Sequence, residues 1–233
     1  MKGSLYLIPV FLGEEGSLDT LPPINIAIIK TIRVFIVENL RTARRFLKKV
    51  DRDIDIDQLS FFELNEHTKP EELGKFIGIM SEGNIGLMSE AGVPCVADPG
   101  SAIVRLAHAQ QMRVVPLTGS SSIILSLMAS GLNGQNFAFN GYLPVKSDER
   151  SKKIRFFEKR VVAEKQTQVF IETPYRNIQL FSDFLSSCEP NTLLCIACDL
   201  TLPSEYIETK TISQWRNHKP DINKRPTIFL LGN

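Results

Sequence analysis

With 233 residues, the chain has room for one large domain or for two of roughly 110 to 120 residues each. A content of 43% hydrophobic and 23% charged residues is that of ordinary globular material, able to build a core without disulfide or metal staples. The formal charge of +1 excludes a globally basic nucleic-acid binder, so any such contact has to come from local patches, and no apolar run approaches the ~20 residues of a bilayer span.

Taken in order, residues 5–9 read as a first strand, ended by Pro9 and followed by a loop holding Gly13 and Gly16. That N-terminal stretch lacks a small-residue cleavage site and runs into Glu14 and Glu15, which argues against a signal peptide. Residues 22–30 predict a helix, and 34–37 a second apolar strand that closes on Glu38. Residues 41–52, RTARRFLKKVDR, turn helical and carry six basic residues against one acid, with Phe46, Leu47 and Val50 as the apolar edge. Such a run is ordinarily a solvated helix face; its functional alternative is contact with phosphate through Arg41, Arg44 and Arg45.

A short strand is expected near 59–62, and a helix over 70–80 with Pro70, Glu71 and Glu72 in its first turn. Residues 86–100, GLMSEAGVPCVADPG, open as an apolar run and break into small and turn-forming residues, the pattern of a buried strand emptying into a loop. Asp98 followed by Pro99 reads as a helix start, leading into a helix over 101–110 and a strand over 113–117. In open α/β sheets ligands bind outside the carboxyl ends of strands, where such a loop sits, although a plain connection has the same composition. The alternation of strand and helix predicts a mainly parallel sheet covered on both faces.

Residues 118–132, TGSSSIILSLMASGL, place small residues between a strand and an apolar helix, so backbone N–H groups and hydroxyls gather at a helix N-terminus; this is either a second polar pocket or a serine cap. A strand at 137–142 follows, then a long basic helix: from Lys146 to Lys165 there are eight Lys or Arg against four Asp or Glu, with Lys152 and Lys153 as further candidates to meet phosphate. Residues 168–172 form a strand that breaks at Thr173, a cap followed by Pro174 and a helix over 175–187. Strands at 193–197 and 227–231 flank a less regular section holding Glu205, Trp215 and a possible short helix. The chain therefore divides near Leu117 into two α/β halves, residues 1–117 and 118–233.

Several chemistries are excluded by their missing motifs. There is no GxG, no GKS or GKT after a glycine loop, no HExxH and no GxSxG. His67, His108 and His218 read as surface or helix residues. Cys195 and Cys198 form a CxxC inside a strand, where residues i and i+3 face opposite ways, so no metal site is expected and the reduced thiols suit the cytoplasm.

The motifs resemble the tetrapyrrole-methylase-like class of S-adenosylmethionine-dependent methyltransferases, and within it the branch that 2′-O-methylates a cytidine of small-subunit ribosomal RNA. LYLIPVFLG is similar to the family's LYLVPTPIGN, VENLRTARRFL to AEDTRxTRKLL, and SEAGVPCVADPG to SDAGTPxISDPG, the most specific match. VVPLTGSSSI, FNGYLPVKSDER and IETPYR resemble VxPLPGPSA, FxGFLPRKxxxR and YESPHR. The resemblance implies two α/β domains of tetrapyrrole methylase type with the cofactor in the interdomain cleft, and a homodimer. It places S-adenosylmethionine, and the product S-adenosylhomocysteine, against Leu12, Gly92, Val93, Pro94 and Val96, and Ser120, Ser121 and Ser122. The departures are Glu14, Asn39-Leu40, Glu90 and Thr118, where the family has Asn, Asp-Thr, Asp and Pro; several of them lie toward the expected substrate side.

Methyl transfer is an in-line displacement with a neutral leaving group, so alignment of the nucleophile matters most, while a ribose hydroxyl is helped by a base or by stabilising charge. Glu38, Arg41 and Glu172 are the candidates, as charged groups at expected strand ends facing one edge, and none is singled out as the base. Two rival readings share the fold: a methyltransferase acting on a tetrapyrrole or other small molecule, and a non-catalytic cofactor-binding relative.

Overall fold

A computed structural model describes residues 3–65, 68–80 and 83–233. The chain forms two units, Met1–Ser121 and Ser122–Asn233.

Unit 1 contains β1 (Ser4–Leu7), α1 (Pro23–Thr31), β2 (Val34–Val37), α2 (Leu40–Val50), β3 (Ser60–Glu63), α3 (Lys75–Ile79), β4 (Ile85–Met88), α4 (Ser101–Ala109) and β5 (Arg113–Pro116). Its five strands pair in the order β3-β2-β4-β1-β5, all parallel. Side chains alternate across a strand, so each apolar strand feeds two cores. Phe35 and Val37 of β2 pack with Ile8, Phe46 and Leu47, while Ile36 between them packs with Leu5, Leu87 and Ile103. Gly86 lies where a Cβ would come within 2.7 Å of Ile8 and 2.8 Å of Phe35, so the central strand carries glycine at that point for lack of space.

Two expectations in this half are corrected. Residues 70–80 do not form one helix: Pro70–Gly74 is a 3-10 turn that hands over to α3, and Gly74 and Gly78 weaken helix propensity across the segment. Asp98 is not the cap of α4, which starts at Ser101. Its Oδ1 instead accepts from the Gly100 N–H at 2.7 Å, closing a turn just ahead of the helix.

Unit 2 contains α5 (Ser122–Ser130), β6 (Phe137–Tyr142), α6 (Ser147–Glu164), β7 (Thr167–Ile171), α7 (Asn177–Ser187), β8 (Leu193–Cys198), β9 (Tyr206–Thr211), α8 (Ile212–Trp215) and β10 (Thr227–Gly232). The sheet order is β6-β7-β10-β8-β9, and only β6 and β7 run parallel. The mainly parallel sheet expected from the alternation in the first half is found there; in unit 2 the short connection from β8 to β9 makes a hairpin, and β10 enters antiparallel between β7 and β8. Strand β9 escapes a reading by periodicity because YIETKT is half-buried throughout. Thr173 stands at the N-cap position, with Pro174 after it, but of a 3-10 turn, Pro174–Arg176, that precedes α7, and its side chain makes no capping bond: the hydroxyl donates to Glu172 instead. Among the described residues, no helix is long and apolar enough to cross a membrane.

The core of unit 2 is aromatic, with Phe170, Phe184 and Phe229 in successive ring contact and Trp215 buried against Phe181. One ion pair is buried beside it. Arg150 of α6 donates through Nε to Asp183 Oδ2 of α7 at 2.5 Å and through Nη1 to the carbonyls of Pro144 and Val145. The two side chains are 3% and 9% exposed, so removing one partner strands the other charge. Arg150→Ala is expected to destabilise unit 2 by about 3–5 kcal/mol; denaturant unfolding followed through Trp215, the single tryptophan, reads that loss.

Candidate active site

Unit 1 gathers its loops at the carboxyl ends of β1, β4 and β5. Val10, past β1, donates its N–H to the Gly92 carbonyl at 2.9 Å and forms an isolated bridge with it. Gly92 has φ +72, and a Cβ there would sit 3.1 Å from Leu12 and 3.4 Å from the Ser120 carbonyl. Gly119 is closer still, since a Cβ would lie 2.3 Å from Pro9. Buried Asn25 of α1 donates to the Thr118 carbonyl at 2.7 Å and holds the third loop from behind. The Leu12 side chain and the Ser120 carbonyl are therefore both brought against Gly92.

The loop after β4 is strained. Besides Gly92, Cys95 at φ 71 and Ala97 at φ 63 occupy the left-handed region, which costs a side-chain-bearing residue about 1–2 kcal/mol. Strain of this kind persists where the surroundings over-determine the backbone, and it gathers at functional sites. Of the neighbouring expected contacts, Pro94 is buried, Val93 is half-buried and Val96 is exposed. Ser121 closes unit 1, and Ser122 opens α5 in unit 2.

The charged candidates fall into different surroundings. Glu38 follows β2, and its Oε2 accepts from the Glu90 N–H at 3.1 Å, tying the end of β2 to the turn beyond β4. Arg41, Arg44 and Arg45 are exposed on α2, whose first turn is capped by Asn39 Oδ1 accepting from the N–H groups of Arg41 and Thr42. The Asn that replaces the family's Asp at this position is an equally good cap. Arg45 pairs with Glu14 at 3.1 Å, and the Arg44 guanidinium lies 5.5 Å from the centre of the Phe61 ring.

Glu172, in unit 2, is buried; its Oε1 accepts from the Thr173 N–H and from both Nε and Nη2 of Arg176, and its Oε2 has no hydrogen-bond partner. It braces the turn into α7. Lys152 and Lys153 are exposed on α6, whereas Arg150 of the same helix is consumed by its ion pair.

Cysteine and histidine stand outside this chemistry. Cys195 and Cys198 are free and buried on β8, and their thiols are pushed up by burial. Among the described residues no cluster of His, Cys, Asp and Glu suits a metal ion. His218 lies at the surface beside Tyr206 and Glu208, His108 is on α4, and His67 lies outside the described residues.

No protein-family model matches the chain. Among curated proteins, it is similar to ribosomal RNA small subunit methyltransferase I of Pseudomonas aeruginosa, 30% identical over 213 residues that cover 91% of this chain and 71% of the relative. The protein of that name from Streptococcus pyogenes serotype M3 is 32% identical over 231 residues, covering 99% and 76%. The chain belongs to the ribosomal RNA small subunit methyltransferase I family.

Solved structures agree at the level of fold. The methyltransferase CobJ superposes with a TM-score of 0.63 at 16% identity, covering 99% of this chain and 94% of that one. Uroporphyrin-III C-methyltransferase from Thermus thermophilus, complexed with S-adenyl homocysteine, gives 0.57 at 16% identity, with 99% and 98% covered. The fold is that of the tetrapyrrole methyltransferases, two α/β domains. Within the family, Asn25 and Gly119 are the site residues that a reading by motif passes over. The signal for Asn25 is its place as the one polar residue of the otherwise apolar stretch at residues 24–29 of α1.

Two measurements probe this geometry. Gly119→Ala must displace the loop from Pro9, and an increase of at least ~10-fold in the dissociation constant for S-adenosylhomocysteine, about 1.4 kcal/mol, is expected by calorimetry. The Cys95 thiol is pushed up to about 11, by burial first and by Asp98 second. Only the thiolate alkylates. The rate of iodoacetamide labelling at Cys95 should thus rise about tenfold per pH unit from 7 to 10 without a plateau.

Proposed function

We propose that this chain is an S-adenosylmethionine-dependent methyltransferase acting on the 2′-hydroxyl of a cytidine in small-subunit ribosomal RNA. The observation that carries the reading is the meeting of three loops at Gly92 and Gly119, packed so closely against Leu12, Pro9 and the Ser120 carbonyl that a Cβ at either glycine would crowd its neighbours, in a chain of this family. The residues fit the cofactor: its carboxylate, ammonium and adenine need directed hydrogen bonds rather than strong charges, and Gly92, Val93, Pro94 and Val96 with Ser120, Ser121 and Ser122 offer main-chain groups and hydroxyls. Leu12 gives the apolar contact. When bound, the cofactor supplies an electrophilic methyl group on a sulfonium centre.

The chain's own part is placement. Glu38 fixes the Ser89–Ala91 turn through the Glu90 N–H, so the acceptor side of the site is held by the sheet rather than by a free loop. Arg41, exposed in the first turn of α2, is the candidate to offer positive charge as the hydroxyl proton departs. Glu172 serves by bracing Arg176 and the following turn. The exposed cations Arg41, Arg44, Arg45, Lys152 and Lys153 meet RNA phosphates, a sequence-independent and salt-sensitive term. A homodimer working in the cytoplasm completes the reading, as the resemblance implies.

Incubation with labelled S-adenosylmethionine and small ribosomal subunits from a strain lacking this protein tests the proposal, with label expected on the 2′-oxygen of a cytidine. Label on a porphyrinoid alone, or on no acceptor, overturns it. Lys152→Ala and Lys153→Ala should each weaken subunit binding and lower the slope of log affinity against log salt by about 1.

A further inference from the structure

A cavity of about 380 Å³ lies between the loop after β1, α2 and the turn after β4. Phe11 and Gly13 line it, while Leu12 between them lies against Gly92, so one short stretch presents two faces. The floor is apolar: Val10, Ala43, and the rings of Phe11 and Phe46, which meet edge to face at 5.1 Å. The wall toward β4 is polar. There the Thr42 hydroxyl donates to Glu90 Oε1 at 3.5 Å, and Glu90 itself is set by the bond from its N–H to Glu38. The mouth carries both signs: Lys49 Nζ lies 5.2 Å from the centre of the Phe11 ring and donates to the Glu14 carbonyl, and Arg45 beside it holds an exposed pair with the Glu14 carboxylate that a phosphate would have to displace.

These features describe a particular ligand. The volume falls at the small end of ligand pockets, where a few polar groups orient a largely apolar guest. An aromatic floor suits a flat ring, and unstacked bases are recognised by such stacking together with hydrogen bonds to their edges. A carboxylate accepts from an exocyclic amine and repels a carbonyl, so Glu90 favours cytosine over uracil. The two cations at the mouth suit the phosphate attached to the same nucleotide.

We propose that this cavity receives the target base, with Glu90 accepting from its amino group and Lys49 and Arg45 meeting the adjoining phosphate. The assignment rests on the RNA methyltransferase reading above and adds to it the pocket that selects the base. It also accounts for Glu38 as a positioning residue acting through Glu90.

The test is titration of the whole protein with cytidine 5′-monophosphate, uridine 5′-monophosphate, ribose 5-phosphate and S-adenosylhomocysteine, each alone and at millimolar concentration, followed by amide NMR. Cytidine monophosphate should move the amides of Thr42, Ala43, Glu90 and Ala91 saturably, and uridine monophosphate should bind at least ~10-fold more weakly, the discrimination of one base-edge contact. Glu90→Gln, whose amide both donates and accepts, should bring that ratio close to 1 while keeping its affinity for S-adenosylhomocysteine. Equal binding of the two nucleotides, an equal response to ribose 5-phosphate, or movement of the α2 amides of Thr42 and Ala43 by S-adenosylhomocysteine to the same extent as by cytidine monophosphate overturns the assignment. The methylation assay separates the two levels. Label on RNA with unmoved amides sinks the pocket and leaves the activity, whereas absence of label on RNA sinks the activity and leaves the titration to judge the cavity.

Discussion

The site in unit 1 depends on close approach between backbones. The loops after β1, β4 and β5 close on one another at two residues that lack a Cβ: Gly92 lies against the Leu12 side chain and the Ser120 carbonyl, and Gly119 lies against the Pro9 ring. A parallel sheet delivers three strand ends to one edge, and only residues without a Cβ let the following loops close over one another there. The rest follows from that crowding. The Val10 to Gly92 bridge, the brace from Asn25 and the left-handed conformations of Cys95 and Ala97 are what a chain needs to leave a strand, cross a neighbour's loop and return to a helix.

A second layer holds the first in register. Glu38 ties β2 to the turn beyond β4, and Asn39 caps α2, so the helix carrying Arg41 and Arg45 is fixed to the same edge as the loops. In unit 2 the corresponding work is done by buried charge. Arg150 binds α6 to α7 and to the segment before α6, and Glu172 anchors Arg176 and the turn into α7. Motif residues that look like ligands by type thus divide by burial. Arg150 and Glu172 point inward and hold helices and turns together, whereas Arg41, Arg44 and Arg45 on α2 and Lys152 and Lys153 on α6 stay exposed.

Much of this was legible in the residues, and the failures share a cause. Strands β2, β4 and β8 declare themselves because strands buried on both faces read as unbroken apolar runs. The loop at residues 89–100 declares itself through small residues and prolines. Strand β9 does not, because a half-buried edge strand built from Tyr206 to Thr211 has neither an apolar run nor a clean alternation. The cap assignments at Asp98 and Thr173 went astray because both residue types also serve turns that precede a helix, and a following proline does not tell the two apart. Gly119 and Asn25 act through contacts distant in sequence, and only the assembled sheet brings them to their partners. The antiparallel pairing in unit 2 was hidden for the same reason, since local pattern carries no record of strand direction.

The two faces of the stretch from Val10 to Gly13 constrain how this chain can diverge. Leu12 lies against Gly92, while Phe11 and Gly13 line the cavity beside α2, so one short stretch serves two neighbourhoods. Val10 belongs to both, since it bonds the Gly92 carbonyl and also lines the cavity. A change of length here therefore disturbs both neighbourhoods at once, whereas a substitution at Leu12 or Gly13 falls first on one of them.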